Sequence, residues 1–318
     1  MSGVSDRAAP AAAEAAGAAR PELIIAHVSD LHAGSPYFVP SLMDRTVVEL
    51  NELRPDLVLC TGDLTEMGFR QDYVAAREYL DRIECPDLVV VPGNHDARNV
   101  GYVHFEELFG PRSRSLRRGG VTIVAVDSSE PDLDIGQIGR ARYDWLLEEF
   151  AAPARFRIFM LHHHLLPVPG TGRERNMVYD AGDVLEVLEE GGVNLVLSGH
   201  KHVPYAWRLE NLFVVNAGTC CSLRLRGTTR PCYNVITLDG DRVTVRRKYP
   251  FHGSETLIEF FPSTGSYKKH IFLRQHILLQ PAETARRGGD GGALGEQTGS
   301  TGSPTAGQTR DGAGAEPS

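Results

Sequence analysis

The sequence predicts an α/β protein made of two packed mixed β-sheets flanked by helices, a four-layer α/β/β/α sandwich. Three observations lead there. Seven short apolar runs rich in Val, Ile and Leu alternate with helical patterns, as βαβ crossovers require. Most of these runs are apolar at consecutive positions, the mark of strands buried on both faces. Beyond residue 205 the pattern becomes hairpin-like, and the total strand count is too large for one comfortable sheet.

The expected strands are Leu23–Val28, Leu57–Cys60, Leu88–Val91, Val121–Val126, Phe156–Leu161, Val193–Leu197 and Leu212–Val215, each bounded by Gly, Pro, Asp or Asn. Between them, Ser41 with Asp44 reads as a capping box opening a helix over 41–53. Tyr73, Ala76, Tyr79, Leu80 and Ile83 trace a second helix, and residues 137–150 and 180–190 give two more. The last is opened by Asp180, with Asp183 at its third helical position. Cys232–Leu238 and Arg242–Arg247 flank Asp239-Gly240-Asp241, a hairpin turn signal. These antiparallel strands are expected to complete the second sheet.

The 318 residues are 42% hydrophobic, with a net charge of −8, which excludes collagen-like, wholly disordered and disulfide-framework chains. Residues 1–20 are Ala/Pro-rich, and the chain from 281 to 318 is Gly, Ser, Thr, Ala and charge. Both ends are expected to be disordered tails around a folded domain at 21–280. The acidic balance gives no reason to expect a long nucleic acid as partner. No apolar run approaches the ~18–20 residues of a membrane span, and the first twenty residues lack the apolar core of a signal peptide. Five cysteines (60, 85, 220, 221, 232) without CxxC spacing read as reduced thiols, so a cytoplasmic protein is expected.

The chemistry lies just beyond the strand ends. The first strand runs into Ser29-Asp30-Leu31-His32, the second into Thr61-Gly62-Asp63, and the third into Pro92-Gly93-Asn94-His95-Asp96. Two later runs lead into His162-His163-His164 and Ser198-Gly199-His200-Lys201-His202. Carboxyl ends of parallel strands share one edge, where α/β proteins build their sites. Any one piece alone has a bland reading; Gly-Asp is an ordinary turn, and a triple His can be a polar cluster. Five in order, all at strand ends, point to convergence. Two Asp, one Asn and several His, without thiolate, suit Mn, Fe, Zn or Co better than Ca or Mg. About seven ligands exceed the needs of one ion with an open position and suit two ions sharing a carboxylate.

In this order the motifs resemble those of the calcineurin-like metallophosphoesterases: Asp-x-His, Gly-Asp, Gly-Asn-His-(Asp/Glu), a lone His, then Gly-His-x-His. Asp-Leu-His at 30–32, Gly-Gln-Ile…Trp-Leu at 136–146 and His-His-His-Leu-Leu-Pro from 162 most resemble the class III cyclic-nucleotide phosphodiesterases. The resemblance implies Asp30, His32 and His202 on one metal and Asn94, His163 and His200 on the other, with Asp63 bridging. It also implies His95 beside the leaving group and Asp96 orienting it. Leu165 stands where the family has proline if His163 is the ligand, which leaves His162 as an alternative, with His164 behind both.

The expected function is therefore dinuclear metal-dependent phosphodiester hydrolysis by a hydroxide shared between the ions, with 3′,5′-cyclic nucleotides such as cAMP as substrate. Fe and Mn stand ahead of Zn and Co as cofactors, and a homodimer is compatible with this reading. Competing readings are a phosphatase, pyrophosphatase or nuclease on the same fold, and a metal-binding scaffold without turnover. Arg224, Arg226 and Arg230 are a local basic group able to contact a small anionic substrate, or a solvated surface.

Overall fold

The computed structural model describes residues 20–172, 175–226 and 229–270. A first sheet contains three parallel strands, β1 (Leu23–Val28), β2 (Leu57–Cys60) and β3 (Asp87–Val90). A second contains β5 (Val121–Ala125), β6 (Phe156–Met160), β7 (Leu195–Ser198) and β9 (Leu212–Asn216), parallel to one another. Antiparallel β4 (Arg114–Arg118) and β8 (Tyr205–Leu209) edge this second sheet.

The two sheets pack through Ile25, Leu59, Ile123, Ile158, Leu197 and Val215, all buried. On the outer face of the first, Ala26, Val28 and Val58 meet Met43 and Leu50 of α1 (Pro40–Leu53), Tyr73 and Leu80 of α2 (Arg70–Asp81) and Phe105 of α3 (Gly101–Phe109). Outside the second, Phe159, Val196 and Val214 meet Leu146 and Phe150 of α4 (Tyr143–Ala151) and Val184 and Leu188 of α5 (Ala181–Glu190). Each central strand thus buries residues on both faces, which is why its sequence is mostly apolar at consecutive positions. The four expected layers are present, and the carboxyl ends of β1, β2, β3, β6 and β7 open onto one region.

Several expectations need correction. The hairpin of β10 (Tyr233–Asp239) and β11 (Arg242–Lys248) joins the first sheet through β10 against β1, not the second. Beyond it lie β12 (Ser254–Phe261) and the edge strand β13 (Ser266–Lys269). Helix α1 starts at Pro40 with Val39 as its cap residue, and no side chain caps it; proline at the first position presets the helical φ and needs no partner for an N–H. Asp180 receives the N–H groups of Ile138 (3.0 Å) and Gly139 (2.7 Å) instead of capping its own helix. The helix expected from 137 begins only after the turn at Gly139 (φ 84°). The expected tails, apart from Arg20, lie outside the described residues. Among the described residues no helix is long and apolar enough to cross a membrane.

Candidate metal centre

The loops after β1 and β2 run side by side. The N–H groups of Asp30, His32 and Ala33 donate to the carbonyls of Gly62, Asp63 and Leu64 at 2.8–2.9 Å. This pairing turns Asp30 and His32 toward Asp63. Asp30, His32, Asp63, His200 and His202 all hold positive φ, between 51° and 71°. Such backbone costs on the order of 1–3 kcal/mol per residue and persists where the surroundings dictate it, typically at functional sites. Two glycines permit close approaches at the site. A Cβ on Gly93 would lie 2.2 Å from Asp63 Oδ1, and one on Gly199 would lie 2.0 Å from Ser29 Oγ.

Two groups of ligand atoms result. In the first, Asp30, His32, Asp63 and His202 each offer one atom, all within 4.8 Å of one another. His202 Nε2 is 2.9 Å from His32 Nε2 and 3.2 Å from Asp30 Oδ1. In the second, Asn94 Oδ1 lies 3.2 Å from His162 Nε2 and 3.0 Å from His200 Nδ1, and these two nitrogens are 3.3 Å apart. Asp63 Oδ2 joins the groups, 3.6 Å from His32 Nε2 and 3.3 Å from His162 Nε2.

The histidine triplet divides differently from the expectation that His163 completes the second group. His163 Nε2–H faces the Asp134 carbonyl at 3.3 Å, and Ser128 Oγ donates to Nδ1 at 2.9 Å. Both ring nitrogens are committed to protein partners, and neither meets Asp63. It is His162 that stands against Asp63 and Asn94. Strand alternation explains this: Ile158 and Met160 face the inter-sheet core while Phe159 and Leu161 face the helices, so position 162 returns to the inner face. His164 stacks on His200 with ring centroids 5.5 Å apart.

His95 and Asp96 also divide. His95 Nδ1–H donates to the Glu66 carbonyl at 2.7 Å, which turns Nε2 to within 3.3 Å of Arg224 Nη1. The Asp96 carboxylate does not orient it. It accepts the N–H groups of Leu64, Thr65 and Gly93 and the Thr65 hydroxyl at 2.9–3.0 Å, fastening the loops after β2 and β3 together. Burial and the charge of Asp63 push Asp96 up to about 6 against those N–H donors.

The donor chemistry fits bound cations. His162 Nδ1–H donates to the Thr61 carbonyl at 2.7 Å, and His202 Nδ1–H donates to the carbonyl of Arg224. Their Nε2 lone pairs therefore point into the site, where carboxylate oxygens, an amide oxygen and further imidazoles also point theirs. Acceptor atoms gathered this closely around two buried carboxylates are satisfied by positive charge placed among them. The two carboxylates create that demand at His162, while burial opposes charge on His200. Burial disfavours charge on His162, yet Asp63 and Asp30 raise it to about 9. Burial holds His200 well below its usual value, helped by His163 and His162. Burial would raise the buried Asp63, but His162 and His95 hold it well below the usual carboxylate range.

Above the groups lies a cavity of about 450 Å³, lined by Asn94, His95 and His200 and by Arg98, Arg175, Arg224 and Arg226. Arg224 also pairs with Glu66 at 3.0 Å, and Glu66 Oε2 lies 3.1 Å from His32 Nδ1. Glu66, Arg98 and Asp134 carry no motif and escaped the sequence reading; only the nearness of Glu66 to Asp63 in the chain could have marked it.

Fold and site together define a metal-dependent phosphoester hydrolase. The chain belongs to the calcineurin-like phosphoesterase family, which it matches over residues 23–204. It is similar to a 3′,5′-cyclic-nucleotide phosphodiesterase of Nostoc, 29% identical over 222 residues that span 64% of this chain and 80% of that protein. It is also similar to a cAMP/cGMP dual specificity phosphodiesterase of Mycobacterium tuberculosis, at 28% identity over 83% of this chain and 90% of that one. A 3′,5′-cyclic adenosine monophosphate phosphodiesterase of Escherichia coli, CpdA, is 27% identical over 60% of this chain and 75% of its own. Among solved structures, yellow lupin purple acid phosphatase PPD1 shares the fold with a TM-score of 0.58 at 14% identity, over 74% of this chain and 53% of that one.

Proposed function

We propose that this chain is a dinuclear phosphodiesterase acting on 3′,5′-cyclic nucleotides such as cAMP. The observation that carries the dinuclear reading is Asp63 Oδ2, within 3.6 Å of His32 Nε2 and 3.3 Å of His162 Nε2. Asp30, His32 and His202 would hold one ion, and Asn94, His162 and His200 the other, with Asp63 shared. His162 thus takes the role expected of His163. The absence of thiolate favours Mn or Fe, with Zn or Co also suited to the donors.

When bound, an ion pair supplies activated water and neutralises phosphoryl charge. The protein's own contributions arise from its contacts. The Glu66 carbonyl fixes the His95 tautomer, so a protonated Nε2 can give its proton to the leaving oxygen. Arg224 is drawn toward Nε2 and can also neutralise phosphoryl charge. Asp96 acts by holding the Asp63 and Asn94 loops in register.

The names of the relatives from Nostoc, Mycobacterium and Escherichia support the cyclic-nucleotide substrate. The test compares turnover of cAMP, bis(p-nitrophenyl) phosphate and p-nitrophenyl phosphate with added Mn. The proposal expects both diesters to be hydrolysed well and the monoester poorly. Preference for the monoester would replace it with a phosphatase reading.

A further inference from the structure

We infer that Asp134, in the loop between β5 and α4, is a positioning residue that sets which end of the Asn94 amide faces the metal ions. The inference rests on the dinuclear reading and adds a residue outside every motif.

An asparagine amide can present its oxygen or its nitrogen, and only the oxygen ligates a cation. The Asn94 side chain lies between two unlike neighbourhoods. On one side are the ring nitrogens of His162 and His200, at 3.2 and 3.0 Å from Oδ1. On the other, Nδ2 donates to Asp134 Oδ1 at 3.1 Å. An ionised carboxylate only accepts hydrogen bonds, so Asp134 admits the NH₂ end and rejects the carbonyl. Arg98 Nη2 holds the same carboxylate oxygen at 2.7 Å.

The loop itself is anchored at the site. His163 donates through Nε2 to the Asp134 carbonyl, and its other nitrogen accepts from Ser128. A Cβ on Gly136 would lie 2.5 Å from the His163 ring, so the loop passes directly over it. The Gly136 carbonyl in turn accepts the Tyr179 N–H at 2.7 Å. The second histidine of the triplet thus secures the loop carrying Asp134, while the first faces Asp63.

The test is Mn binding by equilibrium dialysis with elemental analysis on the full chain, alongside Asp134→Ala and Asp134→Asn. The Asp134 side chain is 54% exposed, and a thermal melt confirms folding of each variant. Wild type is expected to bind two ions. Asp134→Ala is expected to weaken one of them by about 10–100-fold, the usual effect of removing a partner that orients a ligand, and to leave the other unchanged. Asp134→Asn keeps an acceptor oxygen, which the Arg98 N–H turns toward Nδ2, and should recover part of that loss. Two ions held by Asp134→Ala with wild-type affinity would overturn the inference alone, as would Asp134→Asn no better than Asp134→Ala. Fewer than two ions on wild type would overturn the dinuclear reading and the inference with it.

Discussion

Replacing Gly93 by alanine tests how tightly the Asp63 carboxylate is held. The added Cβ would lie 2.2 Å from Asp63 Oδ1, 2.5 Å from Asp63 N and 2.8 Å from Asp63 Cγ. Carbon and oxygen need roughly 1 Å more before reaching ordinary contact, so either Asp63 or the loop after β3 must give way. Asp63 Oδ1 is fixed by the His95 N–H at 3.0 Å, and the Gly93 N–H is fixed by Asp96 at 2.9 Å. Neither side yields without losing a buried hydrogen bond. A displacement of about 1 Å at a catalytic group costs on the order of 10²-fold in rate, and overpacking costs about 1–3 kcal/mol of stability. The assay is Mn-supported hydrolysis of bis(p-nitrophenyl) phosphate, with a thermal melt expected to fall by about 2–4 °C per kcal/mol. Gly182→Ala is the control: it lies in α5, its Cβ would meet nothing within 4 Å, and it should gain up to about 1 kcal/mol with unchanged activity. An unchanged kcat/KM in Gly93→Ala would refute the reasoning.

Three further outcomes are expected. Asn94→Ala should abolish diester hydrolysis, whereas His95→Ala should keep both ions and lower kcat by about 10²–10⁴-fold; full activity in either would contradict the assigned roles. His162→Ala should lose an ion by elemental analysis, whereas His163→Ala, which only loosens the Asp134 loop, should retain both with one held more weakly; the reverse order would return the ligand role to His163. Chelation should abolish activity and lower the melting temperature, with both restored by Mn. An ion at 100 times its Kd adds about 2.7 kcal/mol to the folded state, so a melt indifferent to Mn would speak against a tightly bound centre.

Much of this was legible in the chain because strands buried on both faces leave predominantly apolar runs, and each site segment begins where a run ends. β4 and β13 were not, because edge strands carry Arg117, Arg118, Lys268 and Lys269 and bury little. The hairpin after residue 232 was recognisable by its turn, but its sheet was not, since pairing of β10 with β1 spans more than two hundred residues of sequence. The triplet shows a signal present and unused: alternation carried past Met160 places His162 inward. Glu66, Arg98 and Asp134 act through contacts between loops, and no spacing rule encodes those.

The most direct test is a crystal structure of the Mn-loaded chain with anomalous scattering to locate the ions. Two peaks about 3.5–4 Å apart, both in contact with Asp63 Oδ2 and one of them with His162 Nε2, are the predicted result. A single peak, or two that do not share Asp63, would contradict it.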